Sequence, residues 1–249
     1  MRLITDRAPS GSDPATDVAI AQALLRQAGR GEIGPTLRIA GPLCRAVAFG
    51  RMDVRRPGFA SAAGHCRDAG FEPLVRSVGG RAAAYTEQTL VIDHVVPERE
   101  PGRRLHQRFE EYGELISVVL ADLGVDARVG EVPGEFCPGT YSINARGVAK
   151  LVGTAQRVVR DAWLFSSVIV IDGADEIRAL LPPVYEYLGL AFYPVSVGAV
   201  AEEAPGVDAE VLSNAFVKAY AQMTDLEPVD LDEGTLAQAS GLLREHTVR

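Results

Sequence analysis

Apolar residues recur along the chain at two spacings, one typical of helices and one typical of strands. The helical spacing predicts helices over residues 15–29, 59–70, 103–123, 175–188 and 207–223. Short alternating or β-branched runs predict strands over residues 36–40, 45–50, 73–77, 81–86, 90–96 and 164–171, and a hairpin over 140–152. Helices and strands do not alternate in a regular βαβ order, so the pattern favours an α+β domain.

Two consecutive prolines, Pro182 and Pro183, interrupt the helical pattern of residues 175–188. Proline lacks the N–H group that a helix uses, and its ring crowds the preceding turn. We therefore expect this helix to bend or to split.

The two ends of the chain differ in composition from the middle. Residues 1–14 are mostly polar and contain Pro9 and Pro14, so we expect a poorly ordered lead-in. Residues 15–223 are expected to form a single domain that carries the chemistry. Residues 224–249 form an acidic tail in which we expect one short helix.

Composition and charge limit the class of protein. With 47% hydrophobic and 23% charged residues, the chain can bury a sizeable core. The formal net charge of -8 gives a nucleic-acid partner no electrostatic support, so we expect none. No apolar run reaches the length of a membrane span, and no signal peptide precedes the first predicted helix. We therefore expect a cytoplasmic protein without a membrane partner.

The cysteines and histidines do not indicate a metal site. Cys44, Cys66 and Cys137 are an odd number of cysteines without metal-ligand spacing, and the histidines show no such spacing either. We expect no metal. A reducing compartment would keep a reactive thiol free.

The most informative stretch is residues 134–157, which reads GEFCPGTYSINARGVAKLVGTAQR. Cys137 lies between turn-forming residues, and Lys150 lies thirteen positions later in an apolar run. We interpret this as a loop that enters a β-hairpin, with the thiol at the mouth and the ammonium on the returning strand. A cation near a thiol lowers the pKa of the thiol and produces a thiolate nucleophile.

A second interpretation of these residues stays open. A single cysteine is usually a small buried hydrophobic residue, although proline and glycine on both sides favour a loop here.

Lys150 is unusual in this chain because only Lys150 and Lys218 are lysines among 25 cationic residues. A compact charge on an apolar strand suggests a position where the lysine itself is needed.

A glycine pair, Gly79-Gly80, separates the two strands predicted at 73–77 and 81–86. Glycines let a backbone approach a ligand closely and leave its N–H groups unobstructed. A plain turn between two strands is the alternative. Tyr85 follows on the second strand and either lines a pocket or packs in the core.

Three motifs resemble those of the lipoate–protein ligase and octanoyltransferase family, which includes the biotin ligases. The run from Lys150 to Arg157, KLVGTAQR, resembles the lysine motif of this family. Phe136-Cys137-Pro138-Gly139 resembles the cysteine loop of its thiol-dependent acyltransferase branch. The run from Arg76 to Arg81, RSVGGR, resembles its Arg-Arg-x-x-Gly-Gly-Gly motif, although Val75 and Arg81 stand where the ligases tend to have the first Arg and the third Gly.

The resemblance implies a mixed, mainly antiparallel sheet with flanking helices, as in biotin and lipoate ligase catalytic domains. It implies Cys137 and Lys150 as catalytic residues. The substrate would be bound by Arg76, Gly79, Gly80, Arg81, Tyr85, Gly153, Thr154, Ala155 and Gln156.

The activity that this implies is a lipoate-pathway acyl transfer. An octanoyl or lipoyl group would pass through a Cys137 thioester to a lysine of an acceptor domain, without a cofactor. The partners would be lipoyl-domain proteins, such as the glycine cleavage H protein or 2-oxoacid dehydrogenase E2 subunits. Two alternatives remain: an ATP-dependent lipoate or biotin ligase, in which Lys150 neutralises the adenylate phosphate, and a non-catalytic member of the same fold.

The proposed chemistry requires a bend in the chain. If residues 144–147 are the turn, Lys150 pairs near Tyr141, and a straight strand would carry Cys137 too far from the ammonium. We therefore expect Pro138-Gly139 to fold the loop back, so that the Cys137 sulfur lies within a few ångströms of the Lys150 ammonium.

Overall fold

The structure is a computed structural model that describes residues 1–6, 13–41 and 44–248. The helices are α1 (Ala15–Gly29), α2 (Phe59–Asp68), α3 (Leu105–Asp122), α4 (Ala174–Tyr187), α5 (Val200–Glu203), α6 (Ala209–Ala221) and α7 (Glu233–His246). The strands are β1 (Arg2–Asp6), β2 (Thr36–Ala40), β3 (Ala46–Phe49), β4 (Glu72–Val75), β5 (Ala83–Tyr85), β6 (Thr89–Pro97), β7 (Ala127–Val129), β8 (Ile143–Ala145), β9 (Ala149–Val159), β10 (Ala162–Val170) and β11 (Glu227–Pro228).

The strands form two sheets. The large sheet has the order β11-β1-β2-β6-β10-β9-β8-β7, and the small one has the order β4-β3-β5. In the large sheet β1 runs parallel to β2 and β11, and the other neighbours are antiparallel. The predicted α+β class with a mixed, mainly antiparallel sheet is therefore confirmed.

The central strand β10 is apolar on both faces because helices cover both faces of the large sheet. Trp163 and Phe165 pack in a cluster with Ile116 of α3. Leu164, between them in sequence, packs in another cluster with Leu24 of α1. Successive side chains of a strand point to opposite faces, so a nearly continuous apolar run is what a strand covered on both sides needs.

The small sheet packs with α2 and α4 in a third apolar cluster, which also takes in residues of the large sheet. Phe49 of β3, Leu74 of β4 and Ala83 of β5 are buried there together with Leu181 of α4. The connection from β4 to β5 carries the glycine pair, so this sheet places Gly79-Gly80 beside the edge of the large sheet where residues 134–142 lie.

Both ends of the chain contain more regular structure than the sequence indicated. The expectation of a poorly ordered lead-in is wrong for residues 2–6, which form β1 and pair with every residue of β2. Residues 7–12 of that lead-in lie outside the described residues. The tail contains β11 and a helix of 14 residues, α7, where one short helix was expected. Ala239 and Leu242 of α7 share a cluster with Leu24 of α1, so the tail packs on the first helix.

The prolines do not split α4. The helix is continuous over Ala174–Tyr187 with Pro182 and Pro183 inside it, so the expected split is wrong. The expected bend stays a prediction. These prolines cannot donate to the carbonyls of the preceding turn. The helix persists because Ile177 and Leu181 before the second proline, and Tyr185 after it, are all buried in the cluster with the small sheet. Packing of a long apolar face outweighs the lost hydrogen bonds.

In the part of the chain that the structure describes, no helix has both the length and the apolar character needed to cross a membrane.

The packing of α7 on α1 gives a stability prediction. Leu242 is 4% exposed and Leu236, on the same helix, is 44% exposed. We expect Leu242→Ala to lower the free energy of unfolding by about 2–5 kcal/mol, because it leaves a cavity in a packed interface. The matched control Leu236→Ala should change it by less than about 0.5 kcal/mol. Urea denaturation measures both, and equal losses would contradict the packing of α7.

Candidate active site

The loop before β8 is organised by the carboxylate of Glu135, which is 1% exposed. Its Oε1 accepts from the Gly139 N–H at 3.0 Å, the Ser142 hydroxyl at 2.5 Å and the Lys150 ammonium at 3.0 Å. Its Oε2 accepts from the Val132 N–H at 2.9 Å. One buried carboxylate therefore fixes both sides of the loop that contains the cysteine and joins them to β9.

The ammonium of Lys150 is also buried, at 1% exposure. Besides Glu135 it donates to the carbonyl oxygen of Phe136 at 3.0 Å and to that of Cys137 at 2.8 Å. It also lies 4.9 Å from the centre of the Phe136 ring. The loop thus folds back onto the lysine, as the proposed chemistry requires.

The strand register around the lysine differs from the expected one. Lys150 pairs with Asn144, not with Tyr141, and a bulge follows between Ile143 and Asn144. The turn lies at Arg146-Gly147, both of which have positive φ, and the Asn144 side chain accepts from the Gly147 N–H at 2.7 Å. The turn is therefore shorter than expected. Residues 153–156, interpreted as a glycine-punctuated segment, lie inside the long strand β9.

Cys137 has a backbone conformation that few residues adopt. Its φ is 44°, in the left-handed region that favours glycine. Its N–H donates to the hydroxyl of Tyr185 at 2.6 Å, and that hydroxyl donates to the carbonyl of Ala82 at 2.8 Å. A strained residue persists only where its surroundings fix it. Here α4 fixes the backbone N–H of Cys137, and Lys150 fixes its carbonyl.

Among the described residues, two groups donate hydrogen bonds to the Cys137 sulfur, and neither is the lysine. The guanidinium of Arg76 donates to Sγ at 3.0 Å, and the backbone N–H of Arg81 does so at 3.2 Å. The same Arg76 nitrogen donates to the carbonyl of Arg81 at 2.6 Å. The Lys150 ammonium donates to the Cys137 carbonyl, and the Arg76 guanidinium donates to the sulfur. The expected short distance between the ammonium and the sulfur stays a prediction. Arg76, expected to bind substrate, is thus a contact of the thiol.

The pKa of Cys137 results from opposing effects. Burial raises the pKa of this thiol, but the positive charges of Arg76 and Lys150 and the hydrogen bonds from Arg81 and Arg76 lower it, and the net shift is downward. Burial raises the pKa of the Cys66 thiol to about 12, and burial with nearby carboxylates raises the pKa of Cys44. Cys137 is therefore the cysteine whose surroundings favour a thiolate.

The glycine pair comes into direct contact with the thiol. Gly80 has a φ of 107°, and a Cβ there would lie 2.6 Å from the Cys137 sulfur and 2.2 Å from the Arg76 guanidinium. The carbonyl of Gly80 packs against Gly50, where a Cβ would lie 1.9 Å from that oxygen. The glycine at position 80 is required by space and by conformation. The alternative of a plain turn does not explain this contact.

A cavity of about 290 Å³ opens beside Cys137. One side is formed by Gly79, Gly80 and the cysteine loop, and the other by Thr154, Ala155 and Gln156 of β9 with Leu105 and Phe109 of α3. The predicted site residues that line it are therefore Cys137, Gly79, Gly80, Thr154, Ala155 and Gln156.

Several predicted substrate-binding residues have structural partners. The Thr154 hydroxyl donates to the Tyr141 carbonyl at 2.9 Å, and the Gln156 amide donates to the Leu105 carbonyl at 2.8 Å. Gly153 lies beside the Lys150 side chain, since a Cβ at position 153 would be 3.6 Å from the Lys150 Cε. Tyr85 is buried and lies outside the lining of this cavity, on the far side of Arg76.

The sequence of this chain is similar to a known protein family and to named relatives. Residues 13–219 match the lipoyl protein ligase A/B catalytic domain. The chain belongs to this family. It is 30% identical over 135 residues to the octanoyl-[GcvH]:protein N-octanoyltransferase of Geobacillus kaustophilus, which covers 54% of this chain and 47% of that protein. It is 26% identical over 167 residues to the protein of the same name from Anoxybacillus flavithermus. This match covers 67% of this chain and 59% of that protein. The chain thus spans about half of the length of these relatives.

Solved structures of the ligase branch share the fold. Lipoate-protein ligase A bound with ATP has a TM-score of 0.78 at 20% identity, over 98% of this chain and 94% of that chain. A bi-partite lipoate protein ligase from Thermoplasma acidophilum has a TM-score of 0.74 at 18% identity, over 98% and 92%.

Sequence reasoning missed three residues of this family member's candidate site. Glu135 had a signal, because a lysine on an apolar strand needs a counter-ion and an acid lies in the same loop. Asp53, which is fully buried, accepts from the Gly50 N–H at 3.1 Å and pairs with the Arg81 side chain at 3.2 Å. Neither Asp53 nor Tyr185 has a local sequence pattern that reveals its role, since both reach the site only through tertiary packing.

The crowding at Gly80 gives a test with a neighbouring control. Gly80→Ala adds a methyl group between the sulfur and the guanidinium and a strained φ, which costs about 1–3 kcal/mol. We expect slower alkylation of Cys137 by iodoacetamide in the folded variant, because the Arg76 contact is displaced. Gly79→Ala meets no atom within 4 Å and should alkylate at the original rate. Equal rates for the two variants would contradict the described contact.

Proposed function

We propose that this protein moves an octanoyl or lipoyl group, through a thioester on Cys137, onto a lysine of an acceptor protein domain. The observation that carries the proposal is the setting of the Cys137 sulfur. It lies at the wall of a cavity of about 290 Å³, within hydrogen-bond distance of Arg76 and of the Arg81 N–H. The names of the relatives, octanoyl-[GcvH]:protein N-octanoyltransferase, favour octanoyl as the group.

The transfer has two half-reactions that share the thiol. In the first, the thiolate attacks the carbonyl carbon of the donor, a C–S bond forms, and the C–N bond to the donor lysine breaks. The leaving amine takes a proton from solvent at the open cavity. In the second, the acceptor amine attacks the thioester, a C–N bond forms, the C–S bond breaks, and the amine releases a proton. The thiolate is restored, and no oxidant, metal or nucleotide is consumed.

The negative charge on the carbonyl oxygen needs donors in both steps. The Arg81 N–H, which points at Sγ, lies where it can donate to that oxygen as charge develops. The neighbouring Gly80 leaves this space open because it has no side chain. Backbone donors held by a tight turn act without reorganisation.

The acyl chain requires apolar surface, which the cavity has. Leu105, Phe109, Pro138 and Ala155 contribute to its lining. Phe109 stacks on Tyr141, another lining residue, with ring centres 5.0 Å apart. Burial contributes about 0.8 kcal/mol per CH₂, so an eight-carbon chain gains roughly 5–6 kcal/mol before any polar contact.

The partners that fit this reaction are lipoyl-domain proteins. The relatives are named for GcvH, and the Thermoplasma acidophilum ligase belongs to a lipoylation system with an E2 lipoyl domain. We propose a glycine cleavage H protein or an E2 lipoyl domain as donor and acceptor. A reducing compartment such as the cytoplasm would keep the Cys137 thiol free.

An ATP-dependent ligase is the second candidate, because the fold is shared with lipoate-protein ligase A bound with ATP. In that reaction Lys150 would neutralise the adenylate phosphate. Here the ammonium already donates to Glu135, Phe136 and Cys137, and a phosphate would have to displace one of these three acceptors. This favours the transferase. A non-catalytic member of the family would not need a thiol with a lowered pKa.

The test is acylation without nucleotide. Incubated with an octanoylated H protein and no ATP, the protein should gain the mass of one octanoyl group on Cys137, measured by intact-protein mass spectrometry and peptide mapping. Cys137→Ala should neither gain this mass nor transfer the group, whereas the control Cys44→Ala should do both. Full transfer by Cys137→Ala would exclude the thioester, and transfer only with ATP would favour the ligase.

A further inference from the structure

We propose that Arg76 is the catalytic counter-ion of the Cys137 thiolate, and that Lys150, paired with Glu135, chiefly holds the loop in place. The inference rests on the proposed thioester chemistry and assigns the roles of its two cations.

The N–H donors of the Lys150 ammonium are all used in other hydrogen bonds, so none is left for the Cys137 sulfur. A lysine ammonium has three N–H donors. All three are used by oxygen atoms, at 3.0 Å from Glu135, 3.0 Å from Phe136 and 2.8 Å from Cys137. The carboxylate of Glu135 is as deeply buried as the ammonium, so the positive charge of Lys150 is already neutralised at contact distance. Lys150 is therefore a positioning residue.

Arg76, unlike Lys150, has no carboxylate partner among the described residues. Its guanidinium is buried, and among the described residues no carboxylate lies within ion-pair distance of it. Its Nε has no hydrogen-bond partner in the described part of the chain, and its Nη2 donates to the Arg81 carbonyl and to the Cys137 sulfur. A buried charge without a counter-ion is costly, so a native protein pairs it. The group in contact that can become an anion is the Cys137 thiol.

The other ionisable groups around the sulfur cancel or stay neutral. On β9 and in the loop, Lys150 pairs with Glu135. In the segment after β3, Asp53 pairs with the Arg81 side chain. Tyr185 of α4 stays a neutral phenol because burial raises its pKa well above the usual value.

Tyr85 of β5 also stays neutral, since burial raises its pKa to about 12. Asp17 of α1 and Asp93 of β6 line a small cavity together with Arg76, but both pair with Arg38. Among the residues described, Arg76 is therefore the cation in contact with Sγ that has no carboxylate at ion-pair distance.

This assignment gives Arg76 the same task in both half-reactions. In the first it stabilises the attacking thiolate. In the thioester the sulfur is neutral, and the guanidinium loses its counter-ion, which favours the return of charge to the sulfur. In the second half-reaction the C–S bonding pair returns to the sulfur as the acceptor amine displaces it, and Arg76 stabilises this leaving thiolate.

The test titrates the thiol directly. In a Cys44→Ala, Cys66→Ala background, the iodoacetamide rate of Cys137 is measured against pH, together with thermal unfolding, for Arg76→Gln and for the double variant Glu135→Gln, Lys150→Gln. The double variant removes both charges of the buried pair and leaves the net charge unchanged. We expect Arg76→Gln to raise the pKa of the thiol by about 1–3 units. The double variant should shift it by less than half as much.

The proposal is overturned if the double variant raises the pKa of the thiol more than Arg76→Gln does, or if Arg76→Gln does not change this pKa. Arg76→Lys retains the charge and should keep the thiol pKa below its ordinary value. If Arg76→Gln is too unstable to titrate, an Arg76→Lys thiol at the ordinary value overturns the proposal instead.

The readout does not depend on acyl transfer. Full transfer by Cys137→Ala would remove the proposed function while leaving the titration interpretable. Acylation of Cys137 together with an unshifted pKa in Arg76→Gln would remove only the assignment made here.

Discussion

The candidate site depends on one buried ion pair, between Glu135 and Lys150, at 3.0 Å. Placing two charges in a protein interior is unfavourable unless further hydrogen bonds satisfy both. Glu135 accepts from both edges of its own loop, and Lys150 donates to two carbonyls of that loop, so the pair fixes the backbone on each side of Cys137. This explains how a non-glycine residue is held at a φ of 44°. The charges set the shape of the loop, and the shape sets the direction of the thiol.

The site forms where the two sheets meet, and each sheet supplies a different component. The large sheet supplies Lys150 on β9, and the small sheet supplies Arg76 and the glycine pair in the connection from β4 to β5. Tyr185 of α4 joins them, because its hydroxyl accepts from Cys137 and donates to Ala82. The hydrogen bond from a cation to the Cys137 sulfur forms only where the two sheets meet. The packing of α4 therefore influences the chemistry as well as the stability.

The sequence predicted what local patterns determine. The helix over residues 15–29 agrees with α1, and the loop cysteine, the strand lysine and the bend between them were found from turn chemistry and spacing. The contact between Arg76 and the Cys137 sulfur was not predicted, because these residues are 61 positions apart and meet only when the sheets pack. Pro182 and Pro183 misled the prediction because proline propensity is local, whereas the apolar face that keeps α4 continuous belongs to the whole fold.

The most direct test of the account is a crystal structure of the enzyme trapped after reaction with an octanoylated donor. If the thioester forms on Cys137, we expect continuous density from its sulfur into an octanoyl chain that lies against Leu105 and Phe109. The carbonyl oxygen should lie within hydrogen-bond distance of the Arg81 N–H. An octanoyl group bound elsewhere in a transfer-competent enzyme, with Cys137 unmodified, would contradict the account.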